Sequence, residues 1–273
     1  MKKKTVILIL LPIILILGII LWIANSLFGN PVSKLIVKNS SQKYLIENFD
    51  DPDLYIDRVG YNFKNNSYFA HVFSKKSIDT HFAIYSDGFG RIKRDDYANQ
   101  VMSGWNTAMR LEEAYRKLVN TVLEAEDFPY KSNIAFGELV IDSRSSYFQN
   151  INYLSMSDLE LDKEYDIKEM GRKYGHLVIY VDSDEVSEEK AAEILIDIKN
   201  RFDKADVPFY SIDFTLEKPK DENNDGKRPG EPLNILYFLA EDIYEDGMVE
   251  RVQEAHAKTD AYYKEMEESK LPK

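Results

Sequence analysis

No charged side chain interrupts the chain from Val6 to Ile23, and at 1.5 Å per residue that run makes roughly 27 Å of helix, close to the thickness of a hydrocarbon layer. Beyond it, apolar positions recur every second residue in some segments and every third or fourth in others, the patterns of strands and amphipathic helices. The apolar run is longer than the ~7 to 15 residues of a signal-peptide core, which favours an uncleaved anchor, although Ala24 and Ser26 would suit a small-x-small cleavage site. Pro12 and Gly18 are tolerated inside a spanning helix, and Trp22 falls where an interfacial aromatic belongs. Lys2, Lys3 and Lys4 lie directly against the run, so residues 1–30 predict a cytoplasmic tail and a single-pass anchor, with everything after Asn30 extracytoplasmic.

Residues 31–128 predict a first module. Leu35, Ile36, Tyr44, Leu45 and Phe49 recur at helical spacing and stop at Pro52. The stretches "LYIDRVGYNFK", "SYFAHVFS" and "THFAIYS" are short, aromatic and β-branched, divided by polar turns, and read as antiparallel strands. "SDGFG" supplies an Asp87-Gly88 turn into the short strand "RIKR". A long helix follows, with Val101, Trp105, Ala108, Leu111, Tyr115, Leu118, Val119 and Val122 as its stripe, Gly104 bending or starting it, and Pro129 closing it. The economical packing is a meander with both helices on one face.

This order of elements, in the stretch from "VGYNFKNNSYFAHVFSKKSIDTHFAIYSDGFGRIKRDDY" to "GWNTAMRLEEAYRKLV", resembles the YfjL-like family, small membrane-anchored proteins of Gram-positive bacteria with no assigned activity. The resemblance covers residues 44–119 most clearly. It implies an envelope location and an architecture, and it brings no catalytic residues.

Residues 129–273 predict a second module. "SNIAFGELVID" reads as a strand and residues 143–163 as a polar stretch without an assigned element. The strand Leu177 to Asp182 leads to Ser187, a good N-cap with Glu188 and Glu189 in the first turn, and to a helix with Ile194, Leu195, Ile198 and Phe202 inward. "VPFYSIDFTLE" and "PLNILYFLA" alternate as strands, and Met248, Val252, Ala255, Thr259, Tyr262 and Met266 line a closing helix. The expected fold class is therefore α+β: a transmembrane helix followed by two small modules, with antiparallel or mixed sheets covered by helices, the second containing β-α-β-β-α.

Charge narrows the partners. A formal net charge of −12 opposes a phosphate backbone, so no nucleic acid is expected, and short basic patches such as Lys75-Lys76 are interrupted by acids. The expected partners are the membrane, through the N-terminal helix, and an envelope protein. With no cysteine, disulfides, zinc thiolates and a thiol nucleophile are excluded.

The nearest approach to a chemical motif is "DENNDGKRPGEP", where Asp221, Asn223, Asp225 and Gly226 stand at positions one, three, five and six of an EF-hand calcium loop. Position twelve is Pro232 instead of the bidentate Glu, and strands rather than helices flank it, so a hairpin loop is the expectation. His71 and His81 lie on neighbouring predicted strands and share a face only if opposite residue numbers sum to an even number; a third ligand for zinc is lacking. His176 and His256 stand alone, Gly88 and Gly90 belong to a turn, and no G-x-S-x-G, H-E-x-x-H or P-loop occurs. Acidic pairs such as Asp95-Asp96 are too common among forty-seven acids to mark a glycosidase. Trp105 reads as a core anchor before a groove residue. No catalytic, metal or cofactor site is assigned. The reading is a non-catalytic interaction or sensing module of the cell envelope. The alternatives are a peptidase-regulating module, by the likeness of helix, meander and helix to small PepSY-like and cystatin-like domains, or a hydrolase using acidic residues.

Overall fold

The computed structural model describes residues 13, 15–16, 18–20, 23, 25–130, 132, 134–142, 151–221, 226 and 228–270. Lys2, Lys3, Lys4, Pro12, Trp22, Ala24, Asn223 and Asp225, which carry part of the anchor and calcium-loop readings, lie outside the described residues. Among the described residues, one helical stretch, Gly18–Asn48, is long and apolar enough to cross a membrane. The rest forms two compact units. The first takes the chain up to Thr107 together with Leu159–Asp162, and the second takes Ala108–Asp158 and the chain from Lys163 onward.

In the first unit, α1 (Pro31–Asn48) starts at Asn30, whose side chain accepts a hydrogen bond from Val32 N at 2.8 Å, with Pro31 at the first helical position. Gly29, at φ +72°, sets α1 apart from the apolar helix before it. The buried stripe of α1 is Val37, Ser41 and Leu45, one residue per turn. Leu35 and Ile36, which recur at helical spacing in the sequence, lie outside this stripe, and the serine within it hides the buried face from a count of apolar residues. Strands β1 (Leu54–Asn62), β2 (Ser67–Ser74), β3 (His81–Ser86) and β4 (Ile92–Asp95) pair antiparallel in chain order, the expected meander. Leu54, Ile56, Ala70, Val72, Phe82 and Ile84 turn one face of this sheet toward Leu45 and Val101. The helical elements of this unit in contact with the sheet are α1, against β1, β2 and β4, and the short turn Ala98–Met102, against β3.

The second unit includes most of α2 (Trp105–Leu123), which starts behind Gly104 at φ +79°. From Ala108 its stripe of Leu111, Tyr115, Val119 and Val122 is buried: a Cβ on Gly137 would lie 2.6 Å from Val119, and one on Gly171 2.4 Å from Tyr115. The units therefore divide at Thr107, inside the helix, and not beyond its end near residue 128, where the sequence places the boundary. Strand β5 (Ala135–Leu139) is followed by α3 (Ile167–Tyr174), β6 (Gly175–Asp182), α4 (Glu188–Lys204), β7 (Ser211–Glu217), β8 (Leu233–Leu239) and α5 (Met248–Lys270). The sheet order is β5-β6-β7-β8, with β6 and β7 parallel across the α4 crossover and the outer pairs antiparallel. Leu177, Ile179, Ile212, Phe214, Ile194, Leu195 and Phe202 make the core. Two four-stranded sheets, each with its own helices, make the chain α+β, as the pattern predicts.

Candidate functional site

The face of the first sheet opposite this core is aromatic rather than polar. Its rows follow from the register: Tyr55 opposite Phe73 and Phe73 opposite His81; Arg58 opposite His71 and His71 opposite Ala83; Gly60 opposite Phe69 and Phe69 opposite Tyr85. His71 and His81 thus share a face, which the sequence leaves dependent on a one-residue slip. Phe73 stacks on His81 with centroids 5.6 Å apart, Phe69 meets His71 edge-on at 5.1 Å, and Arg94 lies 3.8 Å above the Tyr85 ring. A Cβ on Gly60 would come within 2.2 Å of the Phe69 ring, so the glycine is what lets that ring lie flat across β1. Between these groups is an open cavity of about 330 Å³, lined by Phe69, His71, Phe73, His81 and Tyr85, with Gln100 at its border.

Burial is the leading cause that pushes both imidazoles below the usual histidine range. At His71 the Arg58 cation and His81 add to it against Asp57, and at His81 only Asp79 opposes it. A depressed histidine holds fewer protons folded than unfolded at pH values between its folded pKa and about 6.5, so its share of stability is lost as pH falls through that window. Acidification from pH 7.5 to 5.5 is therefore expected to lower the protection of the β2 and β3 amides, read as the exchange rate divided by the intrinsic rate at each pH. The double variant His71→Gln/His81→Gln should flatten that dependence, and an unchanged slope would refute the assignment.

The start of β3 is fixed by a buried polar knot. Asp79 Oδ2 accepts from Thr107 Oγ1 at 2.8 Å and from Asp162 N at 3.0 Å, while Asp79 N donates to Asp162 Oδ1 at 3.0 Å. Asn106 Nδ2 donates to Asp79 O and His81 O. Trp105, expected as a core anchor, is 44% exposed; its neighbours Asn106 and Thr107 are the buried residues of that turn.

In the second unit the sequence did not single out one cluster. His176 Nδ1 lies 2.8 Å from Ser211 Oγ and its Nε2 3.5 Å from Asp213, while Tyr237, at φ +52° beside a register shift, stacks on the imidazole and donates its backbone N–H to Asp213. The trio has the residue types of a hydrolase triad, but Ser211 is fully buried and His176 nearly so, leaving no room for a substrate carbonyl. It reads as a satisfied polar cluster. Only the tertiary pairing of β6, β7 and β8 could reveal it, since these residues are up to 61 positions apart in sequence.

The stretch from Asp221 to Pro232 joins antiparallel strands β7 and β8, as a hairpin loop should. Arg228 ties it down, reaching Asp182 at 2.6 Å, Glu217 at 3.1 Å and Lys218 O at 2.6 Å; burial first, then Asp182, raises the Glu217 carboxyl. His256 faces Glu188 at 3.3 Å and Asp260 at 3.5 Å. Among the described residues no group of three or more His, Asp or Glu is arranged to hold a metal ion.

The chain matches two family models, one described as YfjL-like, N-terminal domain, over residues 2–96, and one as YfjL-like C-terminal domain over residues 114–253. A solved structure, that of a DUF5037 family protein from Ruminococcus gnavus, is 11% identical, the match covering 81% of this chain and 99% of that one, with a TM-score of 0.21, too low to equate the folds. No curated protein matches the chain.

Proposed function

The chain belongs to the YfjL-like family, and from that premise we propose that it is a membrane-tethered extracytoplasmic module that binds a protein of the cell envelope without catalysis. The observation that carries this reading is the aromatic and histidine face of the first sheet, where Phe69, His71, Phe73, His81 and Tyr85 surround an open cavity on a rigid meander. Rigid aromatics bury large areas at little entropic cost, which suits a docking face, and the same face offers no nucleophile, acid pair or metal cluster. The uncharged run from Val6 to Ile23 behind three lysines supports the tether and its orientation.

Two experiments test it. Protease added to intact cells should cut the chain beyond residue 30, and complete protection there would sink the orientation. A photo-crosslinking residue placed at His71 in living cells should give a discrete adduct that one at Lys117, on the exposed side of α2, does not give. Equal labelling from both positions, or none from His71, would refute the face as the docking surface.

A further inference from the structure

We propose that the end of the first unit next to the N-terminal helix is itself a lipid-binding surface, seated in the headgroup layer beside the anchor. This rests on the tethered reading above and adds the pose of the first unit on the bilayer.

Four segments converge at this end. The two hairpin turns β1–β2 and β3–β4 both lie there, since Asn62 pairs with Ser67, and Tyr68 with Ser86. The chain leaving the apolar helix arrives at the same place: Asn30 N donates to Tyr68 Oη at 2.8 Å, and a Cβ on Gly29 would lie 2.7 Å from the Tyr61 ring. The N-terminal half of α1 flanks it, because Cβ atoms on Gly88 and Gly90 would lie 3.3 Å from Ser33 and 2.3 Å from Ser40.

What this end presents to its surroundings is apolar. Phe63 is 58% and Phe89 78% exposed at the two turn tips, with Phe28 at 69%, Val32 at 65% and Leu35 at 61% on the adjoining helical turns. A soluble surface has little reason to place two phenylalanines at loop tips beside three more exposed apolar side chains. These tips flank Gly29 and Asn30, where the chain arrives from the uncharged run of residues 6–23, so the lipid interface is the surface already within reach. The charges agree. Lys34, Lys64 and Arg91 stand among the apolar groups, with Asp87 bound to Arg91 at 2.6 Å, in a chain whose net charge is −12. Arg91 also lies 5.8 Å from the Phe89 ring, an amphipathic pair suited to the boundary between headgroups and acyl chains.

The chain has no cysteine, so a single introduced cysteine takes a fluorophore at one place only. Full-length Phe63→Cys, Phe89→Cys and Ile78→Cys proteins, each carrying a polarity-sensitive dye, would be reconstituted into phosphatidylcholine vesicles with and without phosphatidylglycerol. Ile78, exposed in the β2–β3 turn at the opposite end of the sheet, is the control. The expected result is blue-shifted emission from the labels at 63 and 89, quenched by nitroxide lipids with a shallow spin label, and water-like unquenched emission from 78. Anionic lipid should deepen the quenching, and Lys34→Gln/Lys64→Gln should remove that gain. Labels at 63 and 89 that behave like the one at 78, in protein that floats with the vesicles after an alkaline wash, would overturn this pose alone. Protein stripped from the vesicles by the wash would overturn the tether and the pose with it.

Discussion

Gly175→Ala is expected to destabilise the second unit by about 3 kcal/mol or more, through crowding that the packing cannot relieve. The added Cβ would stand 2.3 Å from the hydroxyl of Tyr115 and 2.4 Å from Gly171 O, the second of these a backbone atom. Tyr115 cannot swing away. Its ring is fully buried, its hydroxyl donates to Pro208 O at 3.0 Å, and burial raises its pKa, so it remains a neutral donor. The φ of Gly175 is −69°, an ordinary value for any residue, so the requirement is for space and not for backbone freedom. Tyr115→Phe keeps the ring and loses one bond to a half-buried carbonyl, for a cost of about 1 kcal/mol. In the double variant the two costs should not add fully, because removing the hydroxyl removes the nearest of three clashes and leaves those with Gly171 O and the ring carbon Cζ, at 2.6 Å. Hydrogen exchange of the β6 and α2 peptides reads all three variants in one protein. Wild-type exchange in Gly175→Ala would show that α2 is not packed as described.

The same packing explains why the division of the chain was not legible in the sequence. The stripe of α2 is one unbroken helical pattern from Val101 to Val122, and a pattern says that a face is buried without saying against what. Gly137, Gly171 and Gly175 receive that stripe, and glycines in a sequence ordinarily read as turns. Only after folding do they become the floor under Val119 and Tyr115. Helix α3 was missed for a related reason: it is eight residues long, and Gly171 interrupts its short stripe of Ile167, Met170 and Tyr174. Yet Asp166 accepting from Lys168 N and Glu169 N, with Glu169 three residues on, is an N-terminal signature that could have found it. The elements that were legible, the meander, α4 behind Ser187 and the hairpin β7–β8, are those whose burial alternates or repeats with apolar residues throughout.

For the candidate site the limit was register. His71, His81 and the three aromatics were visible as residues of neighbouring strands, but their assembly into one face depends on Phe73 standing opposite His81, and no local pattern sets that pairing. The turn from Ser74 to His81 sets it, and there the polar residues do more than cap a loop. Ser77 Oγ donates to Asp162 Oδ1 at 2.9 Å and lies 2.6 Å from Thr80 Oγ1, whose hydroxyl can donate to it, and Asp79 lies fully inside. Asp162, in the left-handed region at φ +60°, comes from more than eighty residues away.

Asp79→Ala is accordingly expected to loosen the first unit by about 3 kcal/mol, since Thr107 Oγ1 would be left buried, and Asp162 N half-buried, without a charged acceptor. Asp79→Asn should cost less, because both bonds end on Oδ2 and a single amide oxygen in that place still accepts them, with only the charge lost. About 3 kcal/mol is roughly a hundredfold in the opening equilibrium, so hydrogen exchange in the peptides spanning β2, β3 and residues 159–162 should accelerate by that order in Asp79→Ala. Asp57→Ala, on an exposed position of β1, should leave exchange unchanged. Equal exchange in Asp79→Ala and wild type would refute the knot as the element that fixes the β2–β3 register. The consequence reaches the docking face, because Asn106 Nδ2 binds His81 O and Asp79 O together. Releasing Asp79 frees the first residue of β3, and with it the stacking of Phe73 on His81, so crosslinking from His71 should weaken in Asp79→Ala while every residue lining the cavity is still present.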